Sequence, residues 1–359
     1  MFKEISSRLK AAVKEHPGLH HLAACTMGLG RGLRGLMQGR RGAWDHLLSS
    51  WSLLRRSEWV AGRPVNITLE PTNICNLKCP SCETGAGLLR RPKAQLSLEQ
   101  FRVIIDKIAS HTNTLMFYYM GETFLNRHAY EMIRYAKQKG IPFITTCTNG
   151  EVINPEKLVD SGLDEISFQL AGMTQATQQI YRVGSHLDKV LHNLKETVRL
   201  KKARHSGMRV CCGFILMKHN EHQVEAFRAT MAEIGVDEAV VIDPCVRTWE
   251  QGRDFLPTDR AHWLYAPAAF EQGVLRPRIV PQNECPWIYY SLAIQVNGDV
   301  VPCCRDANGH FVMGNLFEQE LGEIWNGKDY QAFRRQVLTN QKGLGLCRLC
   351  SGYGISLIK

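Results

Sequence analysis

After residue 63 the chain settles into a repeat: a short apolar or alternating run, then a stretch with helical spacing. The runs VNITLEP (65–71), TLMFYYM (114–120), FITTCTN (143–149), EISFQLA (165–171), RVCCGFILM (209–217) and EAVVID (238–243) read as strands. β-Branched and aromatic residues crowd into them, which suits a pleated, half-buried surface. Segment 97–110, SLEQFRVIIDKIAS, opens on Ser97 with Gln100 following at capping-box spacing, so it reads as a helix. Helical patterns also cover 126–139, 154–161, 186–203 and 221–234. Six strands alternating with helices predict an α/β protein built on a parallel sheet, a partial (β/α)6 TIM-like barrel. Chemistry in such a barrel sits at the C-terminal ends of its strands.

The pattern changes at both ends. Residues 1–63 carry eleven Lys/Arg against four acids, out of a net charge of +10 for all 359 residues. Within them, GLGRGLRGLMQGRRGAWDHLLSSWSLLRR mixes Leu, Met and Trp with Arg at roughly helical spacing. That suits a helical basic N-terminal extension packed on the main domain with a solvated basic face. It equally suits a helix lying on an anionic membrane or against an acidic partner. Residues 64–244 form the expected barrel, and 245–284 an irregular bridge rich in Pro, Arg and aromatics. From Cys285 to 359 a small C-terminal cysteine-rich module is expected, opened by a β-hairpin around Asn297-Gly298.

Hydrophobic content of 44% and charged content of 22% match a soluble globular protein, and no long uncharged apolar run suggests a membrane span. No secretory signal is evident, so a cytoplasmic location is expected, with the basic segment as a candidate contact to the inner membrane surface. Thirteen cysteines are many for a compartment that keeps thiols reduced. Metal or cluster binding explains those that group together.

Cys75, Cys79 and Cys82 stand as C-x3-C-x2-C directly after the first predicted strand. Three thiolates bind three irons of a 4Fe-4S cube and leave one open, which is what chelation of a small molecule at that iron requires. Structural zinc prefers four closed ligands, which leaves three thiols on one loop unexplained. Further on, Cys285, Cys303 and the pair Cys347 and Cys350 supply a second set of four thiols, with Gly298 between the first two. Adjacent Cys303 and Cys304 cannot both face one cluster on an unbroken strand, and spacing favours Cys303. A four-cysteine zinc ribbon is the other reading of this second set.

The C-x3-C-x2-C loop resembles that of the radical S-adenosylmethionine (SAM) superfamily, and the likeness extends over most of residues 64–350. It implies a SAM-binding 4Fe-4S cluster on Cys75, Cys79 and Cys82, and reductive cleavage of SAM to a 5'-deoxyadenosyl radical. MGET resembles the family's G-G-E-P turn through Gly121 and Glu122, which implies a contact to the methionine amino group. Gln169 is implied as a ribose contact and Arg182 as a carboxylate partner. The chain departs from the family at Ser81, where an aromatic is usual, and at Met120, Thr123 and Ala171. The second cysteine set resembles the SPASM/twitch extension, which implies one auxiliary 4Fe-4S cluster on Cys285, Cys303, Cys347 and Cys350.

The resemblance implies hydrogen abstraction from a substrate, with a flavodoxin or ferredoxin as reductant. The resemblance implies a sugar or an aminocyclitol-like compound as substrate, and the basic charge favours an acidic small molecule such as a phosphorylated or nucleotide-linked sugar, or a membrane-borne lipid. Maturation of a ribosomally made peptide is the alternative, and a non-catalytic iron-sulfur or zinc protein a further one. No nucleic acid is expected as a partner. Tyr118, Tyr119, Gln169, Lys218, Asp243 and Arg247 are the candidate pocket residues at strand ends, and no catalytic acid or base is assigned.

Overall fold

A computed structural model describes residues 17–280 and 282–350, and side chains from 21 onward. Two helices come first, α1 (Pro17–Met37) and α2 (Ala43–Leu54). Then β1 (Asn66–Leu69), α3 (Leu98–Ile108), β2 (Thr114–Met116), α4 (Ala129–Gln138), β3 (Phe143–Thr148), α5 (Pro155–Val159) and β4 (Glu165–Leu170) follow. Next are α6 (Gln175–Tyr181), α7 (Leu187–Ala203), β5 (Arg209–Ile215), α8 (Val224–Ile234) and β6 (Glu238–Ile242). The bridge holds α9 (Trp249–Phe255) and α10 (Pro267–Glu271). The C-terminal part holds α11 (Trp287–Tyr290), β7 (Ser291–Ile294), β8 (Asp299–Val301), β9 (Gly314–Asn315), α12 (Leu321–Trp325) and α13 (Lys328–Asn340).

The six expected strands are all present and pair in parallel in the order β6-β5-β4-β3-β2-β1. This is the partial barrel that strand-helix alternation predicts, since each crossover helix returns the chain to the same edge. The sheet does not stop there. β7 lies parallel to β1, with Asn66 opposite Ser291, and β8 and β9 continue antiparallel, so the cysteine-rich part extends the barrel sheet. The expected hairpin is β7–β8, and its Gly298 has φ 87°.

Local chemistry explains the element starts. The Ser97 hydroxyl accepts from Gln100 N at 3.1 Å and Gln100 Oε1 accepts from Ser97 N at 3.0 Å, so α3 opens with the predicted capping box. Apolar side chains of β1 to β5, among them Ile67, Leu115, Ile144, Phe168 and Phe214, are buried with those of the surrounding helices in one core. The opposite face differs. Thr145 and Cys147 on β3, and Ser167 and Gln169 on β4, are only half-buried, and Cys147 lies opposite Ser167 in register. The concave face is therefore polar and open, unlike the apolar layers that fill a closed barrel. Across it, Arg209 on β5 reaches Glu165 and Glu238 at 2.7 Å each, tying β4, β5 and β6.

No helix among the described residues is long and apolar enough to cross a membrane. His16 lies outside the described residues, and of His20 only the backbone is described. His21, by contrast, bonds Glu284 at 3.1 Å and stands 3.5 Å from the Cys25 sulfur, which joins α1 to the segment before α11.

His46 on α2 and His111 before β2 are each 2% exposed. Burial pushes both down to about 4 from 6.5, with Arg31 and Arg63 respectively adding to the effect. Between those values the unfolded chain binds protons that the folded chain does not. Unfolding free energy should therefore be full above pH 6.5 and fall as pH drops toward 4, by up to about 3 kcal/mol per histidine. Denaturant titrations across this window, on the wild type and on His46→Gln and His111→Gln, check it: each variant should flatten part of the slope. An unchanged slope in the double variant would assign it to other groups.

Candidate active site

The chain leaves β1 at Glu70 and makes a long loop that comes back at Leu96. Its base is closed like a short ladder. Leu96 N donates to Pro71 O at 3.0 Å, Asn73 Nδ2 to Pro92 O at 2.7 Å, and Ala94 N to Asn73 Oδ1 at 2.8 Å. Glu70 is fully buried and forms a two-pronged pair with Arg91, 2.7 Å on each oxygen. The same carboxylate accepts from Val296 N at 2.9 Å, just past β7, and from Met120 N at 3.3 Å, past β2. Arg91 Nε donates to Ala307 O at 2.6 Å. One ion pair thus anchors the loop to the barrel and to the cysteine-rich part.

Cys75, Cys79 and Cys82 hang from this loop and line one cavity together with Gly121, Glu122, Gln169 and Arg182. All four implied SAM-contact residues and all three cysteines therefore meet at one place, at the C-terminal ends of β1 to β4. Leu77 N donates to the Cys75 sulfur at 3.4 Å, and Arg182 Nη1 stands 3.8 Å from the Cys79 sulfur. Burial pushes the Cys75 thiol up to about 11, with Glu122, Cys79 and Cys82 adding to it. Burial also raises Cys79, against the pull of Arg182.

Gly121 has φ 80°, and a Cβ there would sit 2.6 Å from Thr72 O and 2.7 Å from Ile74 O. Only glycine lets the turn after β2 touch the cysteine loop this closely. Glu122 follows it and is buried. It accepts from Thr148 Oγ1 and Asn149 N at 2.8 Å each, which locks the turn to the end of β3. Burial raises its carboxyl. Arg182 ends α6, and its buried Nε has no hydrogen-bond partner, an unused donor in the cavity wall. Gln169 is held by Ser167 at 2.8 Å over Gly213, where any Cβ would collide with its amide. Ser81 pairs with the Tyr181 hydroxyl at 2.8 Å, and Tyr181 itself lines the cavity, so an aromatic ring does stand there, supplied by α6.

The second set gathers below the hairpin. Burial raises the Cys285 thiol, and Cys303, Cys350 and Cys347 act on it in that order. Cys303 is raised by the hydrogen bond it shares with Cys304, then by burial. Cys303 also acts on Cys347, and both Cys303 and Cys304 act on Tyr119 past the end of β2. Cys304 in turn feels Cys350 and Cys285, so both adjacent thiols face the second set. Burial works against the Arg305 guanidinium, yet the thiols of Cys350, Cys245, Cys303 and Cys304 raise it overall. Every one of the thirteen cysteines is a free thiol. Among the described residues, no group of His, Cys, Asp or Glu is arranged to hold a single metal ion. A four-iron cube asks for something else, one thiolate per iron around a larger body.

Residues 69–231 match the radical SAM superfamily, and residues 285–351 match an iron-sulfur cluster-binding domain, SPASM. The chain belongs to the radical SAM superfamily. Its cofactors are accordingly a 4Fe-4S cluster and SAM in the radical SAM domain, with further iron-sulfur in the SPASM domain. It is 24% identical over 327 residues to the mycofactocin maturase MftC of Mycobacterium tuberculosis, covering 84% of this chain and 79% of that protein. A match to the Fe-coproporphyrin III synthase of Methanosarcina barkeri is 27% identical over 158 residues, 43% of this chain and 38% of that one. Among solved structures, Streptococcus suis SuiB bound to S-adenosylmethionine aligns at TM-score 0.59 and 15% identity, over 87% of this chain and 78% of that chain. Native anSMEcpe with bound AdoMet aligns at 0.54 and 14%, over 80% and 88%. The last two matches share the fold.

One cavity residue, Cys147, escapes a reading of the sequence, and five of the candidate pocket residues, Tyr118, Tyr119, Lys218, Asp243 and Arg247, do not line the cavity. Cys147 lines the cavity, although a lone strand cysteine reads as a small hydrophobe; its parity with Thr145 was the available signal. Strand alternation sends one of Tyr118 and Tyr119 into the helix layer, yet β2 ends at Met116 and both tyrosines have Cys304 as an electrostatic partner. Arg247 does not point into the barrel. It donates to Ser81 O at 2.9 Å and pairs with Glu83, clamping the cysteine loop from the bridge. Asp243 pairs with His262 at 2.8 Å and leaves the following turn uncapped. Lys218 is exposed at the end of β5.

Two substitutions probe this scaffold. Gly121→Ala should push the turn away from the cysteine loop and lower iron bound at the first site while iron at the second site is retained. Iron analysis with visible absorption checks it. Arg91→Met strands the Glu70 charge, with a stability loss of about 3–5 kcal/mol in denaturant unfolding and weakened iron retention at both sites.

Proposed function

We propose that this radical SAM enzyme holds its SAM-binding cluster on Cys75, Cys79 and Cys82 and an auxiliary 4Fe-4S cluster on Cys285, Cys303, Cys347 and Cys350. The observation that carries it is the single cavity shared by three thiols of one loop, Glu122 and Arg182. Three thiolates leave one iron of four without a protein ligand, which suits chelation of the SAM amino and carboxylate groups. When bound and reduced, the cluster with SAM supplies a primary carbon radical able to take hydrogen from an unactivated C–H bond.

The chain's own residues orient that chemistry. Arg182 has a donor to spare, and its planar fork suits a carboxylate. Glu122, fixed by Thr148 and Asn149, keeps acceptor capacity for an ammonium group. Gln169 presents its amide for ribose hydroxyls. Four thiols at the second site fill every iron, which suits electron transfer rather than substrate binding. A flavodoxin or ferredoxin is the fitting reductant, and free cysteines throughout suit a reducing cytoplasm.

For the substrate, the half-buried hydroxyl, thiol and amide groups of Thr145, Ser167, Cys147 and Gln169 favour a small polar molecule, such as a sugar or aminocyclitol, bound on the concave face. Oxidation, dehydration or epimerisation would follow hydrogen removal. A peptide is the second reading, favoured by a match with the mycofactocin maturase over 84% of this chain and by the fold likeness to SuiB, which has been seen with precursor peptide SuiA.

Reconstituted protein given SAM and dithionite should release 5'-deoxyadenosine. Mössbauer counting should find about eight irons, falling to about four in Cys75→Ala/Cys79→Ala/Cys82→Ala. Intact clusters without any release would overturn the catalytic reading in favour of a non-catalytic iron-sulfur protein.

A further inference from the structure

We propose that the outer face of the α1–α2 hairpin docks on an anionic lipid bilayer. The buried face of the hairpin is mostly small or polar: His46, Ser49, Ser50 and Ser52 are at most 3% exposed, beside buried Ala24, Cys25, Ala43 and Leu53. Three glycines let the helices close on each other, since a Cβ on Gly28, Gly32 or Gly35 would lie 2.8 Å from Ser50 Oγ, 2.6 Å from Leu47 Cδ2 or 3.0 Å from Ala43 Cβ. Tyr290 donates to Ser50 at 2.9 Å and Ser52 accepts from Ala61 N at 2.9 Å, whereas the His46 ring and the Ser49 hydroxyl are buried without a hydrogen-bond partner.

The water-facing side is the apolar one. Leu22, Met27, Leu33 and Met37 mark the outer line of α1, and Trp44 and Trp51, 61% and 52% exposed, mark that of α2. Nine of the sixteen exposed large hydrophobic side chains among the described residues lie between 22 and 59. A surface helix normally turns its polar face to water, and an apolar patch of this extent marks a contact surface.

Charge selects the occupant. Residues 17–59 contain six arginines and two acids, Asp45 and Glu58, and Glu58 is taken by Arg335 at 2.6 Å. Asp45 is buried and taken by Arg63, which bonds it at 2.9 Å. Arg34 is exposed among the apolar residues, and Arg55 stacks on Trp51 at 5.8 Å. A second copy applied to this face would set arginine against arginine with no carboxylate to answer it. An anionic lipid surface meets both demands, with tryptophan at headgroup depth and arginine on phosphate. Arginines within α1 keep it on the surface, and it does not cross.

The hairpin packs where strands begin. Arg41 donates to Ala109 O at 2.9 Å and Lys139 O at 2.7 Å, and Asn113 to Arg41 O at 3.1 Å, in the turns that feed β2 and β3. The cysteine loop sits at the opposite strand ends, so docking leaves the active-site mouth in water. The inference is independent of the substrate.

Cosedimentation of the holoprotein with vesicles of equimolar phosphatidylcholine and phosphatidylglycerol tests it, against pure phosphatidylcholine and at low and high salt. Binding to the anionic vesicles is expected, weakened by salt. Arg34→Gln/Arg55→Gln should lower the affinity about 25-fold, and Trp44→Ser/Trp51→Ser should abolish pelleting, with 5'-deoxyadenosine release in solution unchanged in both. No pelleting of iron-loaded protein, or undiminished pelleting of both variants, would overturn the proposal. So would a concentration-dependent dimer that Trp44→Ser/Trp51→Ser abolishes, in the absence of vesicle binding.

Discussion

The arrangement depends on one buried ion pair, Glu70 with Arg91. A carboxylate taken wholly out of water is costly unless every lone pair is used. Here two guanidinium N–H groups and two backbone N–H groups use them. The donors come from the cysteine loop, the end of β2 and the end of β7. Satisfying one charge therefore assembles three segments that are far apart in sequence. Arg91 extends the link to Ala307, four residues beyond Cys303. Because β7 lies beside β1, the two cysteine sets are built on neighbouring strands of one sheet. The two sets are therefore close in topology even though about two hundred residues of chain separate Cys82 from Cys285.

Within the first site, the residues divide by whether their hydrogen bonds are already used. Glu122 and Asn149 are tied into the turn and the end of β3. Arg182 keeps an unused buried donor, and Asn149 Nδ2 stands 4.0 Å from the Cys75 sulfur. Rigid groups hold the shape while the unpaired donor waits for an anion, an arrangement that limits reorganisation when a charged ligand enters. The bridge contributes through Arg247 and Gln251, which bond Ser81 O and Pro80 O, so the loop is held on both flanks.

Much of this was legible in the chain because it is local. Period-two runs gave the strands their places, and Ser97 with Gln100 marked a helix start that the structure contains. The three cysteines and the Gly121-Glu122 turn were legible as spacing, and they do meet at one cavity. What escaped was long-range pairing. Nothing adjacent to Glu70 distinguishes Arg91 from the other forty-three cations as its partner, and the same holds for Asp243 with His262. Tyr118 and Tyr119 were placed on the strand end for a different reason: alternation holds only while the ladder continues, and it ends at Met116.

The N-terminal hairpin shows a limit of periodicity itself. Spacing along 21–56 reveals two faces on each helix, and it does not say which of them meets the protein. The usual assignment turns the apolar face inward, because burial of apolar area drives folding. Here small residues decide otherwise. Gly28, Gly32 and Gly35 lie on the side where serines and His46 lie, and only that side permits close helix approach. Close approach gains packing along the contact, and Ser50 and Ser52 bond main-chain carbonyls and Tyr290. The large side chains, Leu33, Met37, Trp44 and Trp51 among them, are left outside, because the side that permits close helix approach has no room for them.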